Sequence, residues 1–214
     1  MMEGILRVTS SMSASWVSWV MLVLLVLLAF NRFFITDLLV VFRGMFSRSE
    51  RLYLDTTWQG RVMAWLFRAG VIAMAVYLLI TRELGVCNFV GYLVTLGLIG
   101  VYLLVQYGLQ NFVCMVFLSR KQKELVFEQR GCICNAMSFV LWSSVLIAQW
   151  VDDVLVMRIV YSVVVAAFIG LLLLKAIQLF HKNVLSILYV LVSILSLEVV
   201  PLLATVSVIK NILQ

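Results

Sequence analysis

The sequence predicts an all-α fold, a polytopic bundle of about six transmembrane helices, on three observations. Long continuous apolar runs occupy most of the 214 residues, 64% of the residues are hydrophobic against 12% charged, and the mean hydropathy is +1.13. Soluble domains carry about a quarter charged residues, so a chain this poor in charge takes lipid as its solvent. In lipid each backbone N–H and C=O must be satisfied within the protein, which leaves only helices and closed barrels. The runs are continuous rather than alternating and hold a single proline, which selects helices. At 24.3 kDa, residues 1–214 form one transmembrane domain with no room for a separate soluble catalytic unit.

A helix crossing the ~30 Å hydrocarbon core needs ~20 residues at ~1.5 Å each. The candidate spans are 14–30, 62–80, 87–107, 132–150, 155–180 and 184–209. The first follows Arg7 as a signal peptide's apolar region would, but Phe30-Asn31-Arg32-Phe33-Phe34 lacks a small-residue cleavage pattern, so it is expected to be a retained helix. Residues 31–61 form the only long connection. Asp37 and Arg43 interrupt its apolar stretches, which fits an interfacial helix lying on the cytoplasmic membrane surface and equally fits the tail of the first span followed by a solvated loop. The third run stays apolar from Tyr107 to Phe117, so its helix projects past the lipid core or bends into the interface, and Gly91, Gly97 and Gly100 fit close helix packing. Arg120-Lys121-Gln122-Lys123-Glu124 parts the third and fourth spans, and Val151-Asp152-Asp153 the fourth and fifth.

Lys and Arg at the ends of the runs set the orientation. One set of connections holds Arg32, Arg43, Arg48, Arg51, Arg61, Arg120, Lys121, Lys123, Arg130, Lys175 and Lys182, and the other only Arg7, Arg82 and Lys210. The richer set is placed in the cytoplasm, which leaves both termini outside, periplasmic in a bacterial inner membrane. Trp16, Trp19 and Trp150 then lie near the outer ends of their spans, where indole rings prefer to sit. The net charge of +6 is topological on this reading, and no nucleic-acid partner is implied. Cys87, Cys114, Cys132 and Cys134 are too few and scattered for a disulfide framework, so free thiols are expected.

Glu198 is the residue most open to a functional reading, since it lies in an otherwise apolar stretch where a charge costs roughly 2.5–3.5 kcal/mol at the helix centre. It falls roughly 8 Å below the outer boundary, and Arg158 in the fifth span falls at a similar depth of ~5 Å. Arg158, Ser162, Ala166 and Gly170 recur every four residues as one small-residue stripe, which turns Arg158 toward a neighbour. An intramembrane ion pair of Arg158 and Glu198 is therefore expected, with Pro201 kinking the sixth helix beside it. Arg68, ~10 Å above the cytoplasmic edge, is free to snorkel to its own interface. Such a pair serves either as a lock between helices or as a proton or ion relay. Cys132 and Cys134 with the single His181 fall short of a thiolate metal site, and no catalytic triad, zinc-hydrolase helix or phosphate loop is found. No catalytic, metal or cofactor-binding residue is expected.

The stretch Leu197-Glu198-Val199-Val200-Pro201-Leu202-Leu203, followed by a short apolar tail, resembles the closing signature of a family of small integral membrane proteins of Bacteroidota-type bacteria, a domain of unknown function. The resemblance implies an inner membrane of a Gram-negative cell and draws attention to Glu198 and Pro201. It carries no activity, substrate or cofactor. The function expected from the residues is a non-enzymatic subunit or assembly partner of a larger membrane complex, in contact with membrane lipids and other integral membrane proteins. The alternative is a small proton- or ion-coupled transporter using Glu198, against which stands the lack of a second broken helix to match Pro201.

Overall fold

The computed structural model describes residues 16–29, 58–84, 88–117, 120–148, 153–180 and 207. The described residues form five helices: α1 (Trp16–Ala29), α2 (Trp58–Leu84), α3 (Phe89–Phe117), α4 (Arg120–Ala148) and α5 (Val154–Phe180). The last four are long and apolar enough to cross a membrane, the layout of a multi-pass membrane protein. The described part of α1, 14 residues, measures ~21 Å. The expected sixth span, 184–209, and most of the 31–61 connection lie outside the described residues; of that connection, residues 58–61 begin α2.

Helix starts are written in the sequence where a capping side chain is available. Asn88 Oδ1 accepts from the Val90 N–H at 3.2 Å at the head of α3, and Asp153 Oδ1 accepts from the Leu155 N–H at 2.8 Å at the head of α5. The Asp153 carboxylate also suits the positive end of the α5 dipole. Four Thr and Ser hydroxyls in the spans are satisfied by their own helices: Thr81, Thr95, Ser138 and Ser144 donate to the carbonyls of Tyr77, Gly91, Cys134 and Val140. That is how a short polar side chain is accommodated where no water is at hand.

Three helices differ from their expected bounds, and the first of them, α2, extends the second span, 62–80, by four residues at each end, to Trp58 and Leu84. The third span, 87–107, belongs to a helix that continues to Phe117, as its apolar extension suggested. The fourth, 132–150, belongs to one that begins at Arg120, so the basic stretch is helical rather than a loop. Arg, Lys, Gln and Glu are good helix formers, which lets the helix run on beyond its apolar part. Three cations in the first turns oppose the α4 dipole, so the helix begins there in spite of its electrostatics.

The hub is α2, which packs against α3, α4 and α5. Phe67, Val71, Met74 and Tyr77 are its large buried side chains, and Ala64, Ala69, Ala73 and Ala75 let neighbouring backbones come close. On α1, Val17, Met21 and Leu24 form one buried stripe at helical spacing. Trp16 meets Tyr77 at 5.8 Å between ring centroids, while a Cβ placed on Gly70 would lie 2.7 Å from Leu24 Cδ2. Advancing along α1 thus means retreating along α2, so the two are antiparallel. A smaller cluster of Cys132, Ile133, Ala136 and Leu172 joins α4 to α5.

Candidate functional site

Two features inside the bundle are candidates for function, a polar seam and an apolar cavity. The seam runs between α2 and α4. Arg68 Nη2 donates to Asn135 Oδ1 at 3.0 Å, and Arg82 Nη2 donates to the Ala148 carbonyl at 3.0 Å. Fourteen residues separate the arginines and thirteen their acceptors, so α2 and α4 run parallel in constant register. At about 100° per residue, positions 68 and 82 lie within roughly 40° of each other around α2. Arg68 therefore spans to the neighbouring helix instead of snorkelling to its own interface as expected. Its Nε is buried without a hydrogen-bond partner. Asn135 escaped the sequence reading because a single amide in an apolar run is weakly informative. The signal was its occurrence on a span next to one carrying an intramembrane arginine.

The cavity, of about 600 Å³, lies between α1, α2 and α3. Trp16, Trp19, Trp65, Phe89 and Tyr92 supply its aromatic walls, and Gly70 and Gly100 its floor. At one end Trp16, Tyr77, Phe89 and Tyr92 form an aromatic cluster with ring centroids 5.5–6.4 Å apart. The Tyr77 hydroxyl pins this end, donating to the Asn88 carbonyl at 2.5 Å and accepting from the Asn88 N–H at 2.6 Å. Every residue lining the cavity is apolar, aromatic or glycine, which suits an apolar guest and offers an ion no ligands.

Arg158, Ser162 and Ala166 are exposed on α5, and a Cβ at Gly170 would meet nothing within 4 Å. Toward the other described helices α5 turns Met157, Tyr161, Leu172 and Lys175, and the sixth span that the small-residue stripe was expected to meet lies outside the described residues. Lys175, counted above among the wetted helix ends, is 7% exposed. Glu198, Pro201 and His181 lie outside the described residues, as does the motif that carries the family resemblance.

Among the described residues nothing lies within 4 Å of a Cβ placed on Gly97, where close packing was expected, and the same holds for Gly108. The glycine at a close helix contact is Gly70. Cys114, Cys132 and Cys134 are free thiols. Cys132 and Cys134 project about 200° apart around α4, so they cannot bind one ion together. Among the described residues no three His, Cys, Asp or Glu side chains gather into a metal site. No family model, curated protein or solved structure matches the chain.

Proposed function

We propose that this is a non-enzymatic bacterial inner-membrane protein, with both termini periplasmic, that serves as a subunit or assembly partner of a larger membrane complex. One observation supports this above others. Gly97 and Gly108 lie on an exposed face of α3 with open space where their side chains would be. Eleven residues apart, they are within roughly 20° of each other around the helix, with exposed Val101 and Leu104 between. Glycine facing acyl chains gains nothing and weakens the helix, whereas glycine facing a second helix lets the two backbones approach. This supports a second helix docked on the face, one that the described residues do not supply.

Purification of the full chain from its membrane in mild detergent tests the reading. Stoichiometric companions are expected, and Gly97→Leu with Gly108→Leu should release them while the protein itself stays folded. A protein that purifies alone, or companions held equally well by the double variant, would reject the α3 face as the docking surface.

A further inference from the structure

We propose that the cavity between α1, α2 and α3 is a binding site for one acyl chain of a membrane lipid. The proposal rests on the chain's being a membrane protein and not on its having a protein partner.

The dimensions carry the first step. Along α1 the lining runs from Trp16 to Leu27 and along α3 from Phe89 to Gly100, eleven residues in each case. At 1.5 Å per residue the groove is ~17 Å long, against ~15 Å for one leaflet of a ~30 Å hydrocarbon core. Phe89 is the first residue of the α3 span, so the groove starts at a membrane boundary and ends near the bilayer middle. That is the path of a single acyl chain.

The chemistry of the walls carries the second step. Leu24, Leu27 and Leu96 join the aromatic side chains, Gly70 lets Leu24 seat closely against α2, and Gly100 leaves room that a larger side chain would fill. Gly100 faces the Trp65 ring, with 3.8 Å between a Cβ placed there and the Trp65 Cη2 atom. The end at the boundary carries Trp16 and Trp19, residues suited to the interface where a headgroup would remain outside.

The physical preference over bulk lipid is packing, not hydrophobic transfer, since the chain leaves one apolar medium for another. A concave wall surrounds a methylene chain with close neighbours on several sides, and dispersion contacts accumulate accordingly. The convex apolar surfaces of α5, such as Ile159 and Val163, touch a lipid on one side only.

Full-length protein reconstituted in dioleoylphosphatidylcholine vesicles, doped with a phosphatidylcholine bearing a photoreactive diazirine midway along one chain, gives the test. Irradiation and peptide mapping should place adducts on the groove residues of α1 and α3 in preference to Ile159 and Val163. Gly100→Phe should lower groove labelling by roughly five-fold, the scale of losing about five to ten packed atom contacts, whereas Val163→Phe should leave it unchanged. Labelling spread evenly over exposed faces, or unaltered by Gly100→Phe, would overturn the proposal. So would labelling that vanishes as a second copy or a protein fragment crosslinks into the groove. The wild-type labelling pattern decides the matter even if a variant misfolds, and it is read on the pure protein, so loss of the partner reading leaves it intact.

Discussion

The guanidinium of Arg68 reaches across from α2 to the side-chain oxygen of Asn135 on α4, 3.0 Å away, inside a span of the bundle. A neutral amide cannot cancel the charge, but it supplies an acceptor where lipid supplies none. Asn135→Leu should therefore destabilise the protein more than Arg68→Leu, because the first strands a cation while the second removes it. Polar contacts between membrane helices couple by about 0.6 kcal/mol on average and up to about 1.7, and a double-mutant cycle in detergent unfolding should fall in that range. Additive single variants would show that the two side chains do not interact.

Arg82 holds the other end of the same seam by donating to the Ala148 carbonyl at the last described residue of α4. A cation there also suits the negative end of the α4 dipole, worth about 0.3–1 kcal/mol at a helix terminus. Arg82→Gln should lower stability by about that amount and hasten hydrogen exchange in the last turn of α4. Arg82→Lys, which keeps the charge, should recover part of the loss. Equal effects from both substitutions would mean that the fork geometry of the guanidinium, and not its charge, holds α4.

The membrane-crossing segments were legible because apolar length is a direct physical signal, and 155–180 coincides with α5 to within one residue. Helix ends were less legible, since hydropathy marks where lipid stops and not where hydrogen bonding stops. Arg120 shows the difference, standing twelve residues before the fourth apolar run yet at the start of α4. The face of α5 that meets the rest of the described bundle was illegible for a related reason. In lipid both faces of a helix are apolar, so the pattern that separates core from surface in water is missing. Met157, Tyr161 and Leu172 are the side chains enclosed by the described bundle, while the small-residue stripe at 158–170 was expected to meet the sixth span, which lies outside the described residues. The cavity could not be read at all, because its walls come from three helices whose register only the fold supplies.

The Tyr77 hydroxyl exchanges two hydrogen bonds with the backbone of Asn88, the residue that also caps α3. Tyr77→Phe keeps the ring contacts with Trp16 and Tyr92 but leaves one backbone donor and one acceptor to find other partners. Leaving a buried group unsatisfied costs about 1–3 kcal/mol, and the part-buried position of this pair puts the effect at the low end. The Asn88 amide should exchange faster in the variant, while amides in the middle of α2 keep their protection. An unchanged Asn88 exchange rate would show that the hydroxyl does not hold the head of α3.

The expected pair of Arg158 and Glu198 separates a lock from a relay. Arg158 stands near the start of α5, on an exposed part of its surface, and an acid on the carboxyl-terminal run at the same depth would relieve the cost of holding that charge in or near lipid. If the pair is a lock, Arg158→Gln and Glu198→Gln should each lower the amount of folded protein in the membrane. The exchanged protein, carrying Arg158→Glu together with Glu198→Arg, should restore it, because attraction between opposite charges does not depend on which helix bears which. If Glu198 instead carries protons, the exchanged protein should be abundant while proton flux into vesicles containing it is lost, since an arginine does not release its proton near neutral pH. Abundance measured beside flux tells the two apart. Two single variants as abundant as the parent, with flux unaltered, would remove the ion pair from both accounts.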